Sequence, residues 1–556
     1  MTIMHINAVT SYEVDGPIAS IIIDSPPVNT LSADVRSGLF GAFSRAASDD
    51  AIDAVILACA GRTFIAGAEI TEFGQQKEAP SLEKIQDLIQ KSRKPVIAAI
   101  HGTALGGGLE LALVCHYRVA THDARVGLPE VKLGLVPGAG GTQRLPRIIG
   151  IAAALDLLVS GRSIGAEEAR SLGLVDLVVQ EGPLLPAAKT FAHHIASRPA
   201  GKSQTRDRAR EEYLFDPSVF QSFEKENMET FRGYLAPQAI LRCVEAAASL
   251  PLEAGLEKER REFELLVQSP HSLALRHLFF ADRQAFKLPF QVSSPDKLAP
   301  AITLLGAVDA IPDQLPSPFK AAITRAGLTL TSAVTDDSYL LCMGTDVEAA
   351  LMRHKPTAQQ PLFVLAPEAN ENFPVLLNEN SDALFGLVPL ERNGALTFIE
   401  IIAARGTASV GAAHAMNFAK TLGVQAIFTQ ADGVSIAENQ RRAFLDAVQQ
   451  HGDQQNTKPS LSQTTASDAL LAFGFSPTFC NQTALTASTN APGSDIEDAL
   501  SRLAENGQAL ADRGDIARLT DLDVLWTSGL GWPRYRGGPQ FWHRHKSAFE
   551  KFEAGH

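Results

Sequence analysis

The first half of the chain alternates short apolar runs with segments of helical periodicity. Apolar runs of strand length occupy Ile18–Asp24 and Ala54–Ala60, and a helical pattern covers Ala33–Ala47 between them. A third apolar run, Pro95–Gly102, comes shortly before three consecutive glycines. Strands that alternate with helices predict an α/β layer structure for this half.

The second half begins with helical, charged sequence from about residue 199 to 289, followed by a linker rich in proline and serine. Seven short β-rich runs then recur, and they favour a small parallel sheet over about residues 301–430, followed by helices. The polar stretch Gln449–Ser467 is predicted to be a flexible loop. The seven runs read AITLLGAV, LTLTSAV, SYLLCMG, PLFVLAP, ALFGLVPL, TFIEIIAA and VQAIFTQ.

The chain of 556 residues is too long for a single hydrophobic core. We therefore predict four segments with boundaries at 1–198, 199–297, 298–430 and 431–556.

The composition excludes several classes of protein. A net charge of −13, from 62 acidic and 49 basic residues, argues against a nucleic-acid partner. No apolar run is long enough to span a membrane and the N-terminus does not resemble a signal peptide, so no membrane partner is expected. The final Ala554-Gly555-His556 is not a peroxisomal tripeptide, which makes the cytoplasm the expected location. The five cysteines suggest neither a metal site nor disulfides, because they are odd in number and widely spaced: Cys59, Cys115, Cys243, Cys342 and Cys480.

Two glutamates carry the candidate chemistry. Glu110 follows the triplet Gly106–Gly108 inside an apolar helical run, and Glu130 follows Leu128-Pro129 twenty residues later. A buried carboxylate is costly unless it has a partner or a task, and two of them can share acid and base work. Three structural readings stay open: the triplet as a tight turn, Glu110 as a favourable acidic residue in a first helical turn, and Glu130 as a solvated loop residue.

These glutamates stand among further motifs, FIAGAEI at Phe64–Ile70 and VKLGLVPGAGGTQRL at Val131–Leu145. In this order the motifs resemble the enoyl-CoA hydratase/isomerase family, the crotonases, over roughly the first 190 residues. The resemblance implies the crotonase fold, a spiral of ββα turns, with a helical tail at 199–297. It also implies an acyl-CoA substrate.

The resemblance assigns roles to four positions. Glu130 would exchange a proton with the substrate's α-carbon, while Glu110 would orient and deprotonate water. The backbone N–H groups of Ala68 and Gly107 would bind the thioester oxygen, and in comparable sites such donors contribute about 3 to 4 kcal/mol each. Glu69 stands where many members of the family have aspartate.

Contacts to coenzyme A are assigned more broadly. We expect Arg62, Ala66, Ile70 and Lys287 to contribute, with Arg276 and Arg283 as further cations. A solvated helix face is the alternative role for each of these basic residues.

The second half resembles the 3-hydroxyacyl-CoA dehydrogenase part of multifunctional fatty-acid oxidation enzymes, with a reduced Rossmann-like domain at 298–430 and a helical domain after it. The dinucleotide-binding glycines are reduced to Gly306, because Val308 and Ile311 occupy the other two positions and Asp309 adds a negative charge. Val388 stands at the catalytic histidine position, although its glutamate partner is present as Glu400. Ala437 replaces an asparagine of the family motif. Gly531–Pro539 resembles the helical dimerisation region of these dehydrogenases.

The expected function is therefore hydration of trans-2-enoyl-CoA to 3-hydroxyacyl-CoA, with an inactive dehydrogenase-like second half that does not bind NAD. No cofactor or metal is expected, because coenzyme A is part of the substrate. Three alternatives stay open: a Δ3,Δ2-enoyl-CoA isomerase in the same site, a bifunctional hydratase and dehydrogenase, and a noncatalytic acyl-CoA-binding scaffold. The protein is expected to be a monomer or a homo-oligomer.

Overall fold

A computed structural model describes residues 2–73, 79–196, 217–293, 299–305, 315–335, 338–454, 466–476, 479–480 and 493–555. The chain divides into two compact units, Met1–Leu273 and Ala274–His556, here called the amino-terminal and carboxy-terminal units. The four segments predicted from the sequence remain a prediction.

A seven-stranded sheet forms the centre of the amino-terminal unit, in the order β1-β2-β3-β4-β5-β7-β10. The first three strands pair antiparallel, and the pairs from β3 onward are parallel. The apolar runs predicted as strands form β3, β4 and β5. The strands of this sheet are β1 (Thr2–Asn7), β2 (Thr10–Asp15), β3 (Ile18–Ile23), β4 (Ala54–Cys59), β5 (Val96–Ile100), β7 (Tyr117–Thr121) and β10 (Leu177–Val179).

A second, three-stranded sheet carries the chain into the glycine triplet. It consists of β6 (Thr103–Leu105), β8 (Arg125–Gly127) and β9 (Ser163–Gly165), in the order β6-β8-β9. Helix α3 (Gly107–Val114) begins two residues after β6 ends. The C-terminal ends of β6 and β8 therefore bring the segments that lead to Glu110 and Glu130 close together.

Helices surround these sheets and form the tail of the unit. The helical pattern predicted at Ala33–Ala47 forms the first of them, and the Ser32 side chain accepts a hydrogen bond from the Val35 N–H at its start. The helices are α1 (Ala33–Ser48), α2 (Leu82–Lys91), α3, α4 (Gly141–Ile149), α5 (Ile151–Ser160), α6 (Ala166–Ser171), α7 (Leu184–Ala196), α8 (Pro217–Phe231), α9 (Ala236–Ser249), α10 (Leu252–Val267) and α11 (Pro270–Ala285), which contains the boundary between the units.

The carboxy-terminal unit contains a second seven-stranded sheet, in the order β12-β11-β13-β14-β15-β16-β17. Each of the seven β-rich runs predicted from the sequence supplies one strand. The order reverses at β11, as it does at the switch point of doubly wound α/β folds. The strands are β11 (Ala301–Leu304), β12 (Thr329–Thr331), β13 (Ser338–Met343), β14 (Leu362–Leu365), β15 (Leu384–Arg392), β16 (Ala395–Ile402) and β17 (Gln425–Thr429).

The sheet departs from a wholly parallel arrangement at one pair. β15 and β16 are antiparallel and are joined at Asn393-Gly394, whose φ angles are 52° and 73°. A two-residue turn with two positive φ angles matches the twist of antiparallel strands, so the chain returns directly instead of crossing over a helix.

Helices complete this unit. Two of them shorten the loop that was predicted at Gln449–Ser467, because one continues to Gln454 and the next begins at Ala466; residues 455–465 lie outside the described part. In the described residues, no helix is both long and apolar enough to cross a bilayer. The helices are α12 (Ser317–Arg325), α13 (Val347–Arg353), α14 (Phe373–Glu379), α15 (Val410–Thr421), α16 (Ile436–Gln454), α17 (Ala466–Phe473), α18 (Gly493–Asp512), α19 (Leu519–Val524), continued by a π-helical turn, and α20 (Pro539–Ala554).

Candidate active site

The glycine triplet brings the start of α3 against Glu130. Gly106 has a φ of 52°, which an L side chain rarely adopts, and a Cβ on this residue would lie 2.8 Å from Glu130 Oε1. Glu130 itself begins a short 3-10 helix, Glu130–Leu133. The lack of a side chain at Gly106 therefore leaves the space that the Glu130 carboxyl occupies.

Glu110 is buried in the first turn of α3, where only 3% of its surface is exposed. Its Oε1 accepts hydrogen bonds from the backbone N–H groups of Ala139 at 2.8 Å and Gly141 at 2.9 Å. Burial raises the pKa of Glu110, and these two bonds and the charge of Arg144 oppose the increase. The structure thus holds this carboxyl in one orientation with two fixed donors.

Glu130 lies in a different environment. The residue is half-buried, but its Oε2 is enclosed and has no hydrogen-bond partner among the described residues. Burial raises the pKa of Glu130 well above its ordinary value, and the charges of Glu110 and Glu259 raise it further. The backbone N–H of Glu130 itself opposes this increase, but Oε2 has no donor, so Glu130 keeps its proton more readily than Glu110, which accepts two amide bonds. The electrostatics therefore favour Glu130 as the proton donor and Glu110 as the base.

Two unpaired amide groups lie next to each other close to these carboxyls. In the described residues, the N–H groups of Ala68 and Gly107 donate to no other protein group, and Gly107 is the first residue of α3. A Cβ on Gly107 would lie 3.6 Å from Ala68 N, so the two backbones approach closely. Such a pair can bind an oxygen that acquires negative charge, and the positive end of the α3 dipole adds to the effect.

A buried asparagine fastens the loop that carries Ala68. The Asn29 amide group donates to the carbonyl oxygens of Ala60 and Thr63, each at 2.9 Å, and its Oδ1 accepts from the Ser25 N–H at 2.7 Å. Leu31 N–H donates to the Gly67 carbonyl at 3.0 Å. These bonds fix the backbone that leads into Ala68.

The residues expected to contact coenzyme A lie in both units. Arg62 is exposed in the turn after β4, and Ala66 and Ile70 are half-buried on either side of Ala68. Lys287 belongs to the carboxy-terminal unit, where its carbonyl accepts from Arg518 at 3.0 Å. The same unit contains the two further cations: Arg276, and Arg283, whose guanidinium lies 3.7 Å from the centre of the Phe279 ring. Their contribution to coenzyme A binding remains a prediction.

A third buried carboxyl, Glu259 in α10, was not among the residues singled out from the sequence. It is 1% exposed and accepts from Gly140 N–H at 2.5 Å, from Thr142 N–H at 2.8 Å and from the Thr142 hydroxyl. Burial and the charge of Glu110 raise the pKa of Glu259 to about 8. Glu259 stands among many charged residues of the predicted tail helix, and no local pattern distinguishes it from a solvated residue.

In the carboxy-terminal unit, Glu400 is fully buried and its two oxygens accept four hydrogen bonds. The donors are the hydroxyls of Thr429 and Ser435 and the N–H groups of Ile436 and Ala437, at 2.7 to 3.0 Å. Glu400 therefore caps the start of α16. Val388, at the expected histidine position, lies directly opposite Glu400 in the β15–β16 pair. The positions predicted for the glycine motif, Gly306, Val308, Asp309 and Ile311, lie outside the described residues.

Among the described residues, no group of three or more His, Cys, Asp or Glu side chains could hold a metal ion. What the amino-terminal unit brings together is two carboxyls of different electrostatic character and two unpaired amides.

Part of the chain is similar to known proteins. Residues 13–227 match the family model described as enoyl-CoA hydratase/isomerase. The chain is 42% identical over 274 residues to the peroxisomal bifunctional enzyme of Danio rerio, an alignment that covers 49% of this chain and 37% of that protein. It is 38% identical over 283 residues to the glyoxysomal fatty acid beta-oxidation multifunctional protein MFP-a of Cucumis sativus, covering 49% and 39%.

A solved structure of an enoyl-CoA hydratase/isomerase from Pseudoalteromonas atlantica is 27% identical, with a TM-score of 0.38, and the match covers 49% of this chain and 96% of that one. The chain thus spans less than two fifths of the length of the two multifunctional relatives. The match to the enoyl-CoA hydratase/isomerase family model lies within its amino-terminal unit.

Proposed function

We propose that the amino-terminal unit adds water to a trans-2-enoyl-CoA and forms a 3-hydroxyacyl-CoA. The observation that supports this most is the pairing of Glu110, held by two amide donors, with Glu130, whose Oε2 has none. Hydration needs one group that accepts a proton from water and one that supplies a proton to the α-carbon. Two carboxyls whose environments favour opposite protonation states meet that need.

The proposed reaction uses each group once. The thioester oxygen accepts hydrogen bonds from the N–H groups of Ala68 and Gly107, which stabilise the negative charge that develops on it. Glu110 takes a proton from water as the oxygen bonds to the β-carbon, and Glu130 delivers its proton to the α-carbon. Proton exchange with solvent then restores both carboxyls.

Isomerisation of a Δ3-enoyl-CoA in the same site is the second candidate, because Glu130 alone has the properties of a proton shuttle. An isomerase needs only one such carboxyl, whereas Glu110 is also buried and oriented. Hydration consumes the conjugated thioester and its absorbance falls, while isomerisation of a 3-enoyl-CoA produces that absorbance. The two substrates therefore distinguish the two reactions in one spectrophotometric assay.

The decisive experiment is a steady-state screen of short, long, branched and aromatic enoyl-CoAs with wild-type protein and three variants. Glu110→Gln and Glu130→Gln should each lower kcat by about 10²- to 10⁴-fold, the usual contribution of a general acid or base. Glu181→Gln removes the same charge from an exposed position and is the matched control. Near-normal rates in either active-site variant would contradict the proposal.

We further propose that the carboxy-terminal unit does not act as a dehydrogenase. A side chain that orients a histidine needs a free acceptor, but all four hydrogen bonds at Glu400 go to residues of this unit, and its neighbour across the strands is Val388. Valine cannot accept the proton of a hydroxyl group. The bifunctional alternative predicts that NAD binds with micromolar affinity in calorimetry and is reduced in the presence of a 3-hydroxyacyl-CoA. Either result would refute this part of the proposal. The cytoplasmic location and the oligomeric state remain predictions.

A further inference from the structure

The segment from Ala139 to Thr142 lies between two buried carboxyls. Its amide groups alternate: Ala139 and Gly141 donate to Glu110 Oε1, while Gly140 and Thr142 donate to the two oxygens of Glu259. All four consecutive N–H groups are therefore used by side chains, and the two acceptors belong to different helices, α3 and α10. The orientation of Glu110 thus depends on a backbone that Glu259 also holds.

Glu259 reaches this segment from α10, which packs closely against the start of α4. A Cβ on Gly255, one turn earlier in α10, would lie 2.0 Å from Gln143 Oε1, so the helices meet where there is no side chain. Gln143 in turn donates to the Thr142 hydroxyl at 3.0 Å and to the Cys243 carbonyl at 2.8 Å. The tail helix and the candidate active site are therefore joined by a continuous set of hydrogen bonds within the amino-terminal unit.

From this geometry we propose that Glu259 is a positioning residue for hydration: it fixes the 139–142 backbone that orients Glu110. The proposal rests on the hydratase function proposed above. It assigns a catalytic consequence to a residue of the helical tail that makes no contact with the substrate in the proposed reaction.

The charged groups around Glu259 determine the direction of the pH effect. Glu110 and Glu130 face it as acids, and Arg144, on α4, interacts with both Glu259 and Glu110. The Cys243 thiol, on α9, is a further titratable neighbour, and the charge of Glu259 contributes to its raised pKa. Glu259, whose pKa is about 8, is negatively charged only in the alkaline range, and there its charge raises the pKa of Glu130. Removing that charge should therefore let Glu130 lose its proton at lower pH.

The test compares Glu259→Gln with wild-type protein in the hydratase assay from pH 5 to 10. We expect kcat to fall about ten- to a hundredfold, since small displacements of a catalytic group have effects of this size. KM should stay within about threefold, because binding of the thioester is not altered. The alkaline limb of the kcat profile should move to lower pH. The matched control is Glu257→Gln in the same helix, where the carboxylate is exposed and paired with Arg261.

A second variant covers the case in which Glu259→Gln does not fold. Thr142→Val keeps the side-chain shape but removes the hydroxyl that donates to Glu259, so it should lower kcat in the same direction by a smaller factor. A lowered melting temperature with an unchanged pH profile in the folded variants would overturn the inference, since a purely structural role predicts that result. So would rates equal to those of Glu257→Gln. Absence of turnover in wild-type protein overturns the hydratase proposal itself, and the inference with it.

Discussion

The pH dependence of folding stability offers a direct test of how deeply Glu259 is embedded. The pKa of this carboxyl is about 8 in the folded protein, against an ordinary value of 4.5, with burial as the main cause. A group whose folded pKa is raised stabilises the folded state below the unfolded pKa, and this contribution is lost as pH rises through the folded pKa. At about 1.4 kcal/mol per pKa unit, ionisation of Glu259 removes about 5 kcal/mol of unfolding free energy between pH 4.5 and 8.

Replacing Glu259 with glutamine removes that dependence. The amide side chain has one acceptor oxygen instead of two, so one of the donors at Gly140 and Thr142 loses its partner. This costs about 1 to 3 kcal/mol at every pH. The variant should therefore be less stable than wild-type protein at pH 5 and more stable at pH 9. The crossing of the two curves is the signature of a buried carboxyl that is forced to ionise.

Hydrogen exchange with mass spectrometry, carried out at increasing urea concentration, can measure the unfolding free energy of each unit separately. Peptides covering Gly141–Ile149 and Leu252–Val267 report the amino-terminal unit, and Ala395–Ile402 reports the carboxy-terminal unit as an internal reference. Glu257→Gln should follow the wild-type curve, because its carboxylate is exposed. If the difference between Glu259→Gln and wild type is the same at pH 5 and pH 9, the reasoning about burial is wrong.

Two further perturbations test separate features. Gly106→Ala places a methyl group 2.8 Å from Glu130 Oε1 at a positive φ and should lower kcat tenfold or more in the hydratase assay; Gly165→Ala, with nothing within 4 Å, should leave it unchanged. Glu400→Ala removes the acceptor of four hydrogen bonds, two of them from backbone N–H groups at the start of α16, and should destabilise the carboxy-terminal unit by about 3 to 5 kcal/mol. Urea unfolding followed by tryptophan fluorescence measures this second change, since all three tryptophans belong to that unit; a loss below about 1 kcal/mol would contradict the capping role.

The hydrophobic pattern was sufficient to predict the strands of the carboxy-terminal sheet but not all their directions. Each apolar run contains one strand, because a buried strand needs apolar residues on both faces. The reversal between β15 and β16 could have been read from Asn393-Gly394, a dipeptide that favours two-residue hairpin turns. That local signal was outweighed by the expectation of a parallel sheet.

Whether a residue of the candidate site could be predicted depends on how far it lies along the sequence from the residues that it contacts. Glu110 and Glu130 stand within recognisable motifs, and the structure brings the segments that carry them together. Glu259 is 119 residues from Gly140, in a helix whose charged residues suggest an exposed face. Its burial is a result of tertiary packing between α10 and α4, and no local sequence pattern predicts that contact.

The alternation of amide groups along residues 139–142 also limits how this part of the molecule can change. Inserting or deleting a single residue would displace these four N–H groups relative to the two carboxyls that accept from them. Substitutions that preserve the backbone are compatible with both sets of bonds, whereas changes of length are not. The length of the segment 139–142 is therefore constrained, and engineering of this region should change side chains without adding or removing residues.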